Sequence, residues 1–269
     1  MELDDIVNIT MRSMRSVLAY VNSGADHSAI IKKKERDVTR RFDVVAEEAL
    51  LTELRERKMS ARIVSEEYGD RIVGQDPDCT LIFDPVDGST NAAIGFPYFC
   101  SSLAYAPKID NVCLSDITMG VVVTNALDVY AAQDGAASFN GDPLITQKAQ
   151  RYKPIIAGYS YGVSHVPYGL IELEKQCIVR IFGSIAYDLC ETAAGMLDAV
   201  VDLRGRLSSY DIAAGQLIVR ACGGVVTTED GSPVDARVTD TGLSMICSAD
   251  TTLHGRIIEV LASFAAART

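Results

Sequence analysis

One octapeptide, Asp84-Pro85-Val86-Asp87-Gly88-Ser89-Thr90-Asn91, restricts this chain more than any other stretch. It follows Thr80-Leu81-Ile82-Phe83, an apolar run of the kind that forms a buried strand. Two carboxylates are therefore delivered where a buried strand ends. Pro85 fixes its own φ and has no N–H to donate, so the sequence predicts that the strand stops there and turns. That turn brings Asp84 and Asp87 toward one point. Two anions held that close repel each other unless a cation or a proton lies between them. Gly88-Ser89-Thr90-Asn91 then reads as a helix start, whose N–H groups and partial positive charge suit a phosphate. Hard cations beside a phosphate cradle point to metal-assisted phosphoryl chemistry.

The rest of the chain bounds that reading. With 269 residues, 48% apolar and 23% charged, it suffices for one large domain or two small ones with a real core. A net charge of −11 argues against nucleic acid as a partner, since that needs a basic face. It says less against a phosphorylated substrate, because local charge and bound metals set the field inside a site. Seven unpaired cysteines without a Cys-x-x-Cys read as reduced thiols. The acidic start, Met1-Glu2-Leu3-Asp4-Asp5, lacks a signal-peptide pattern, and no apolar run approaches a membrane span. The expectation is a cytoplasmic protein with no membrane partner.

Apolar spacing predicts a helix from about Leu3 to Val21 and a second over Arg40–Lys58, with Phe42, Val45, Ala49 and Leu54 inward. Between them runs a polar stretch through Lys32–Asp37, a solvated loop or a mobile lid carrying charge to the phosphate. Ala61–Ser65 is a short strand delivering Glu66-Glu67. From Phe99 to Phe139, β-rich stretches alternate with turns, as in an antiparallel sheet. Beyond Asp142-Pro143 strands and helices alternate. Strands are expected at Ile155–Gly158, Ile178–Phe182, Ala199–Val201, Gly224–Thr227 and Leu243–Cys247. Helices are expected at Tyr168–Gln176, Ser184–Leu197, Ser209–Ala221 and Thr251–Ala267. This divides the chain into residues 1–145, carrying most acids of interest, and 146–269.

Three further acidic positions matter: Glu66-Glu67 at a strand end, Asp211 opening a helix, and Asp43 early in the second helix. Alone, each fits a solvated turn or a helix cap. An oxygen-rich set suits Mg²⁺, Mn²⁺ or Ca²⁺ rather than zinc, and His27, His165 and His254 are scattered and read as surface or loop residues. Gly183-Ser184 opens a helix after a strand, a second place for backbone N–H groups to hold substrate oxygens. Arg180, Arg204 and Arg206 are able to bind a second anionic group, or simply to pair with nearby acids.

Ile63-Val64-Ser65-Glu66-Glu67, the octapeptide, and Tyr210-Asp211-Ile212-Ala213-Ala214-Gly215 together resemble the three motifs of the inositol monophosphatase superfamily. Arg180–Ser184 and Gly195–Arg204 carry a closer similarity to archaeal-type phosphatases acting on both fructose 1,6-bisphosphate and inositol 1-phosphate. The resemblance implies an α+β or α/β layered, α-β-α-β-α sugar-phosphatase fold and Mg²⁺-dependent hydrolysis of a phosphate monoester, with Mn²⁺ a substitute. By motif position, Glu66, Asp84 and the carbonyl of Val86 hold one metal, and Asp84, Asp87 and Asp211 a second; Glu67 or Asp37 assists a third. Ser89, paired with Asp43, orients and helps deprotonate the attacking water. The N–H groups of Gly88, Ser89 and Thr90 bind phosphate oxygens, and a homodimer is the expected assembly.

Departures bear on substrate. Ser65 and Ser89 stand where relatives often have Gly and Thr, and Tyr210 replaces a tryptophan. The Asp202–Asp211 segment looks longer than in inositol phosphatases, and its Arg204, with Arg180, suits the far phosphate of a bisphosphate. The alternatives are a 3′-phosphoadenosine 5′-phosphate phosphatase, for which no adenine slot is legible, and a non-catalytic protein sensing metal or inositol phosphate.

Overall fold

The computed structural model describes residues 1–24, 26, 30–33, 38–147, 150–162 and 168–265. The elements, in order, are α1 (Leu3–Asn22), β1 (Ile30–Lys33), β2 (Val38–Arg40), α2 (Arg41–Glu56), β3 (Ala61–Ser65), β4 (Gly69–Val73), β5 (Thr80–Asp87) and α3 (Ser89–Ile94). Next come β6 (Cys100–Ala106), β7 (Met119–Thr124), β8 (Val129–Gln133), β9 (Ala136–Phe139) and β10 (Asp142–Pro143). The second half holds β11 (Ile155–Tyr159), α4 (Tyr168–Gln176), β12 (Ile178–Arg180), α5 (Ile185–Ala194) and β13 (Ala199–Ser208). It ends with α6 (Ser209–Ala221), β14 (Val225–Thr227), β15 (Thr241–Ser248) and α7 (Thr251–Ala265).

Two sheets and three helical layers alternate. An eight-stranded sheet has the order β10-β9-β8-β7-β6-β5-β3-β4, antiparallel except where β3 and β5 run parallel. A five-stranded sheet has the order β12-β11-β13-β15-β14. Helices α1 and α2 cover one face of the large sheet, where Ile6, Ile9, Met14 and Val17 meet Phe42, Leu50, Leu81, Phe83 and Val121. Helices α5 and α6 fill the space between the sheets, so one core joins Ile82 and Val122 to Leu189, Ala213 and Val200. Helices α4 and α7 cover the outer face of the small sheet through Leu170, Leu173, Leu253 and Ile257. The result is the α-β-α-β-α layering expected from the motifs.

Small residues let the middle layer sit close. Gly120 on β7 faces α6 so tightly that a Cβ there would lie 2.9 Å from the Cα of Ala214. The buried stripe of α2 is Phe42, Ala46, Leu50 and Leu54, a strict four-residue repeat. Val45 and Ala49, expected inward, are only half-buried, because the repeat starts from Phe42 and advances by four.

The strand boundaries that differ most from the sequence reading are those of β5 and β13. Pro85 does not end β5: the strand continues to Asp87, with Asp84 opposite Ser102 and Asp87 opposite Cys100. Three steps on one strand face two on the other, which is a β-bulge. Proline is tolerated there because a bulge removes the ladder bond that Pro85 is unable to donate. The strand expected at Ala199–Val201 runs on to Ser208, paired with β15 through two register shifts. The apparent extra length before Asp211 is thus strand. The Gly69–Val73 strand, unread in the sequence, hairpins back on β3.

All seven cysteines are free, five of them buried. His254, expected at the surface, is 5% exposed, its ring between Thr227 Oγ1 (2.9 Å) and Ser248 Oγ (3.2 Å). His27 and His165 lie outside the described residues. Among the described residues no helix is long and apolar enough to cross a membrane.

The tight α6–β7 contact makes Gly120→Ala a test of the layering. The added methyl meets backbone, which moves little, so the variant should lose about 1–3 kcal/mol of stability in urea unfolding. An unchanged midpoint would mean that α6 does not press on β7 as described.

Candidate active site

The carboxyl ends of β3 and β5 and the first turns of α2, α3, α5 and α6 meet at one place. The strands bring Glu66, Asp84 and Asp87; the helices bring Asp43, Ser89, Ser184 and Asp211. Asp84 is 2% exposed, and its carboxylate receives the Val86 N–H at 3.1 Å. Burial, with the charges of Glu66, Asp87, Asp211 and Asp43, pushes its carboxyl well above the ordinary range. The sequence-predicted acids are therefore electrostatic neighbours.

Each acid is also steered by donors. Asp87 accepts the Ser184 hydroxyl at 2.8 Å and the Ala186 N–H at 2.6 Å, so it caps α5. Burial raises its pKa to about 6, against the pull of those donors. Asp211 accepts the Ser208 N–H at 2.7 Å and is pushed to about 8 by burial, with Asp87 and Asp202 adding to the rise. Asp43, also buried, accepts the Arg40 N–H at 2.7 Å. Glu67 accepts the Thr39 hydroxyl at 2.5 Å. Ser65 donates to buried Glu47 on α2, which keeps the end of β3 against that helix.

The expected Ser89–Asp43 pair has Arg40 between its members. Arg40 N–H holds Asp43, while Arg40 Nη1 donates to Ser89 Oγ at 3.1 Å. Ser89 and Thr90 stand ahead of the first helical bond of α3, from Ala92 N–H to Gly88 O at 3.0 Å. Gly88 has φ +90° and is walled in: a Cβ would lie 3.0 Å from Tyr98 O and 3.1 Å from both Phe99 and Ser184. Only glycine fits this turn.

Gly183 and Ser184 do lie at the site, but the donors of the α5 turn serve Asp87 instead of an open oxygen pocket. The reason is geometric: the bulge in β5 aims Asp87 at the start of α5. Arg204 is also engaged. Its Nε and Nη2 grip Asp202 at 2.9 and 2.6 Å, and its guanidinium lies between the rings of Tyr159 (4.7 Å) and Tyr161 (4.3 Å). It is therefore not presented to a second phosphate, because its fork already has a buried carboxylate. Arg180 is exposed on the edge strand β12, with Nη1 on the Val179 carbonyl at 2.9 Å. Arg206 is exposed beside Gly162. Lys32 is exposed on β1, paired with Thr39 in a two-stranded ribbon; Asp37 lies outside the described residues.

Sequence reasoning missed two groups besides Arg40. Asn91 Nδ2 bonds the carbonyls of Tyr98 and Phe182, both at 2.7 Å, and so ties α3 to the approach of α5. Asp188, fully buried on α5, accepts the hydroxyls of Tyr98 (2.7 Å) and Tyr159 (2.5 Å) and is raised to about 7 by burial.

The donor set fits a hard cation: carboxylates and a carbonyl, with charge crowded around a buried Asp84. Among the described residues, however, no three Asp, Glu, His or Cys side chains already converge as a finished cage. The acids are neighbours held apart by their own donors.

Comparison with known proteins shows the family. The profile of the inositol monophosphatase family matches residues 2–264. The chain belongs to that family. It is 31% identical over 237 residues to a fructose-1,6-bisphosphatase/inositol-1-monophosphatase of Methanothermobacter thermautotrophicus, covering 83% of each chain. It is 26% identical to a bifunctional NADP phosphatase/NAD kinase of Methanococcus maripaludis; there 96% of the chain spans about half, 49%, of the relative. Among solved structures, extragenic suppressor protein suhB of Bartonella henselae superposes with a TM-score of 0.79 at 26% identity, over 96% of this chain and 97% of that one.

The raised acids set a direction for stability. A carboxyl whose pKa is higher folded than unfolded keeps its proton when the unfolded chain has lost it, so stability falls as pH rises between the two values. For Asp87 and Asp211 that window runs from 3.8 to about 6 and about 8. Metal-free protein should melt at a lower temperature at about pH 8 than at about pH 5, and Mg²⁺ should recover most of the loss. A metal-free melting temperature that rises across this interval would contradict the crowding of acids.

Proposed function

We propose that this phosphomonoester hydrolase removes phosphate from fructose 1,6-bisphosphate and/or inositol 1-phosphate, with Mg²⁺ as its metal and Mn²⁺ as a substitute. The observation carrying the reading is Asp84, a buried carboxylate surrounded by four others. A protein keeps such a group charged only with a cation beside it.

Glu66, Asp84, the Val86 carbonyl, Asp87 and Asp211 would hold the metal, with Glu67 close by. When bound, the metal neutralises phosphoryl oxygens and makes a water acidic enough to attack at neutral pH. The chain's own groups supply the remaining work. The N–H groups of Gly88, Ser89 and Thr90 fix phosphate oxygens at a turn walled in by Tyr98, Phe99 and Ser184. Ser89 Oγ orients the water, and Asp43, steadied by Arg40 N–H, takes its proton. Arg180 and Arg206 are exposed and free to meet a distal phosphate, whereas Arg204 would first have to leave Asp202.

A second reading, a nucleotide phosphatase, draws support from the relative that is an NADP phosphatase and spans nearly the whole chain. Phosphate release should therefore be measured from fructose 1,6-bisphosphate, inositol 1-phosphate, NADP and 3′-phosphoadenosine 5′-phosphate, with Mg²⁺ and with chelator. Metal-dependent release from the first two is the expected result. Release from nucleotides alone would replace the substrate assignment, and none from any substrate would favour a metal or inositol-phosphate sensor. Asp84→Asn should lower turnover by about three orders of magnitude or more while leaving the fold intact. Near-native activity in that variant would refute the site.

A further inference from the structure

Arg40 is a cation in contact with two of the proposed catalytic groups, and none of the motifs gives it a task. Its backbone N–H holds Asp43 at 2.7 Å and its Nη1 donates to Ser89 Oγ at 3.1 Å. Its Nε is buried without a hydrogen-bond partner among the described residues. A buried guanidinium N–H with no acceptor is costly, so a missing acceptor is the economical explanation. The Nε–H shares one edge of the guanidinium with Nη2, so the acceptor that fits is a small oxyanion taken by that fork while Nη1 stays on Ser89 Oγ.

We propose that Arg40 is a phosphoryl ligand: its Nη1 rests on Ser89 Oγ while the Nε–Nη2 fork grips the oxygens of a phosphate bound at the Gly88–Thr90 turn. The inference rests on the phosphatase reading above and deepens it. Arg40 carries a fork of donors, and a fork matches two oxygens of one phosphate better than a point charge does. Nη1 keeps its bond to Ser89 Oγ, which accepts it and leaves the serine proton free, so one guanidinium positions both the hydroxyl and the phosphate. The contact to Asp43 runs through the backbone, and a side-chain substitution at Arg40 leaves that cap of α2 in place.

Titration calorimetry of inorganic phosphate into Mg²⁺-loaded protein tests this without turnover. Arg40→Gln should weaken phosphate binding roughly ten- to a hundredfold, and Arg40→Lys by less, since it keeps the charge but loses the fork. Mg²⁺ affinity should stay unchanged in both. As a check on the unaltered protein, phosphate should protect Arg40 from phenylglyoxal, mapped by mass spectrometry. Native phosphate affinity in Arg40→Gln, a parallel fall in Mg²⁺ affinity, or no protection of Arg40 would each overturn the proposal. An active wild type with an indifferent Arg40→Gln would remove Arg40 alone. A wild type that releases no phosphate from any substrate would remove the functional reading itself.

Discussion

Crowding of buried carboxylates is the constraint from which this structure follows. Glu66, Asp84, Asp87, Asp211 and Asp43 come from the ends of two strands and the starts of two helices, and the other four lie close enough to Asp84 to raise its pKa. A fold that does this needs compensating positive potential, and it is drawn largely from backbone. Asp87 caps α5, while Asp43 and Asp211 cap their own helices through the N–H groups of Arg40 and Ser208. Helix starts carry partial positive charge where their amides point outward, so pointing several at one spot makes a place for anions. Backbone charge cannot titrate away, and it leaves the carboxylates as hard oxygen donors.

The layered core is the machinery that aims those helix starts. Helices α5 and α6 run from the acids into the space between the sheets, where small residues such as Gly120 and Ala214 permit close approach. The β5 bulge turns Asp87 toward α5, and Asn91 fastens the adjoining turn to Phe182 across the same gap. Packing and electrostatics are here one problem, since a helix that sat farther out would leave its acid unanswered.

Much of this was legible locally. The octapeptide announces a strand, two acids and a glycine turn within a few residues, and caps at Asp43 and Asp211 show as acids in first helical turns. Helices α4 and α6 run as their apolar period predicts, and the Ser208–Asp211 capping box fixes the start of α6. What escaped is non-local. Arg40 meets Ser89 across 49 positions, and Asp188 meets Tyr98 across 90, so neither pairing leaves a mark in sequence. Pro85 was misjudged because the bulge that excuses it depends on the partner strand. Arg204 looked available because nothing nearby in sequence shows that Asp202 turns back on it from the same strand, with two tyrosine rings enclosing the pair.

Asp188 has a consequence for how this molecule moves. Its two oxygens hold Tyr98, which precedes a strand of the large sheet, and Tyr159, at the end of a strand of the small one. Sliding or parting of the sheets would break both hydroxyl bonds and strand a carboxyl group in a dry interior. The two sheets are thus pinned through one buried carboxyl on α5, an anvil that resists their movement against each other.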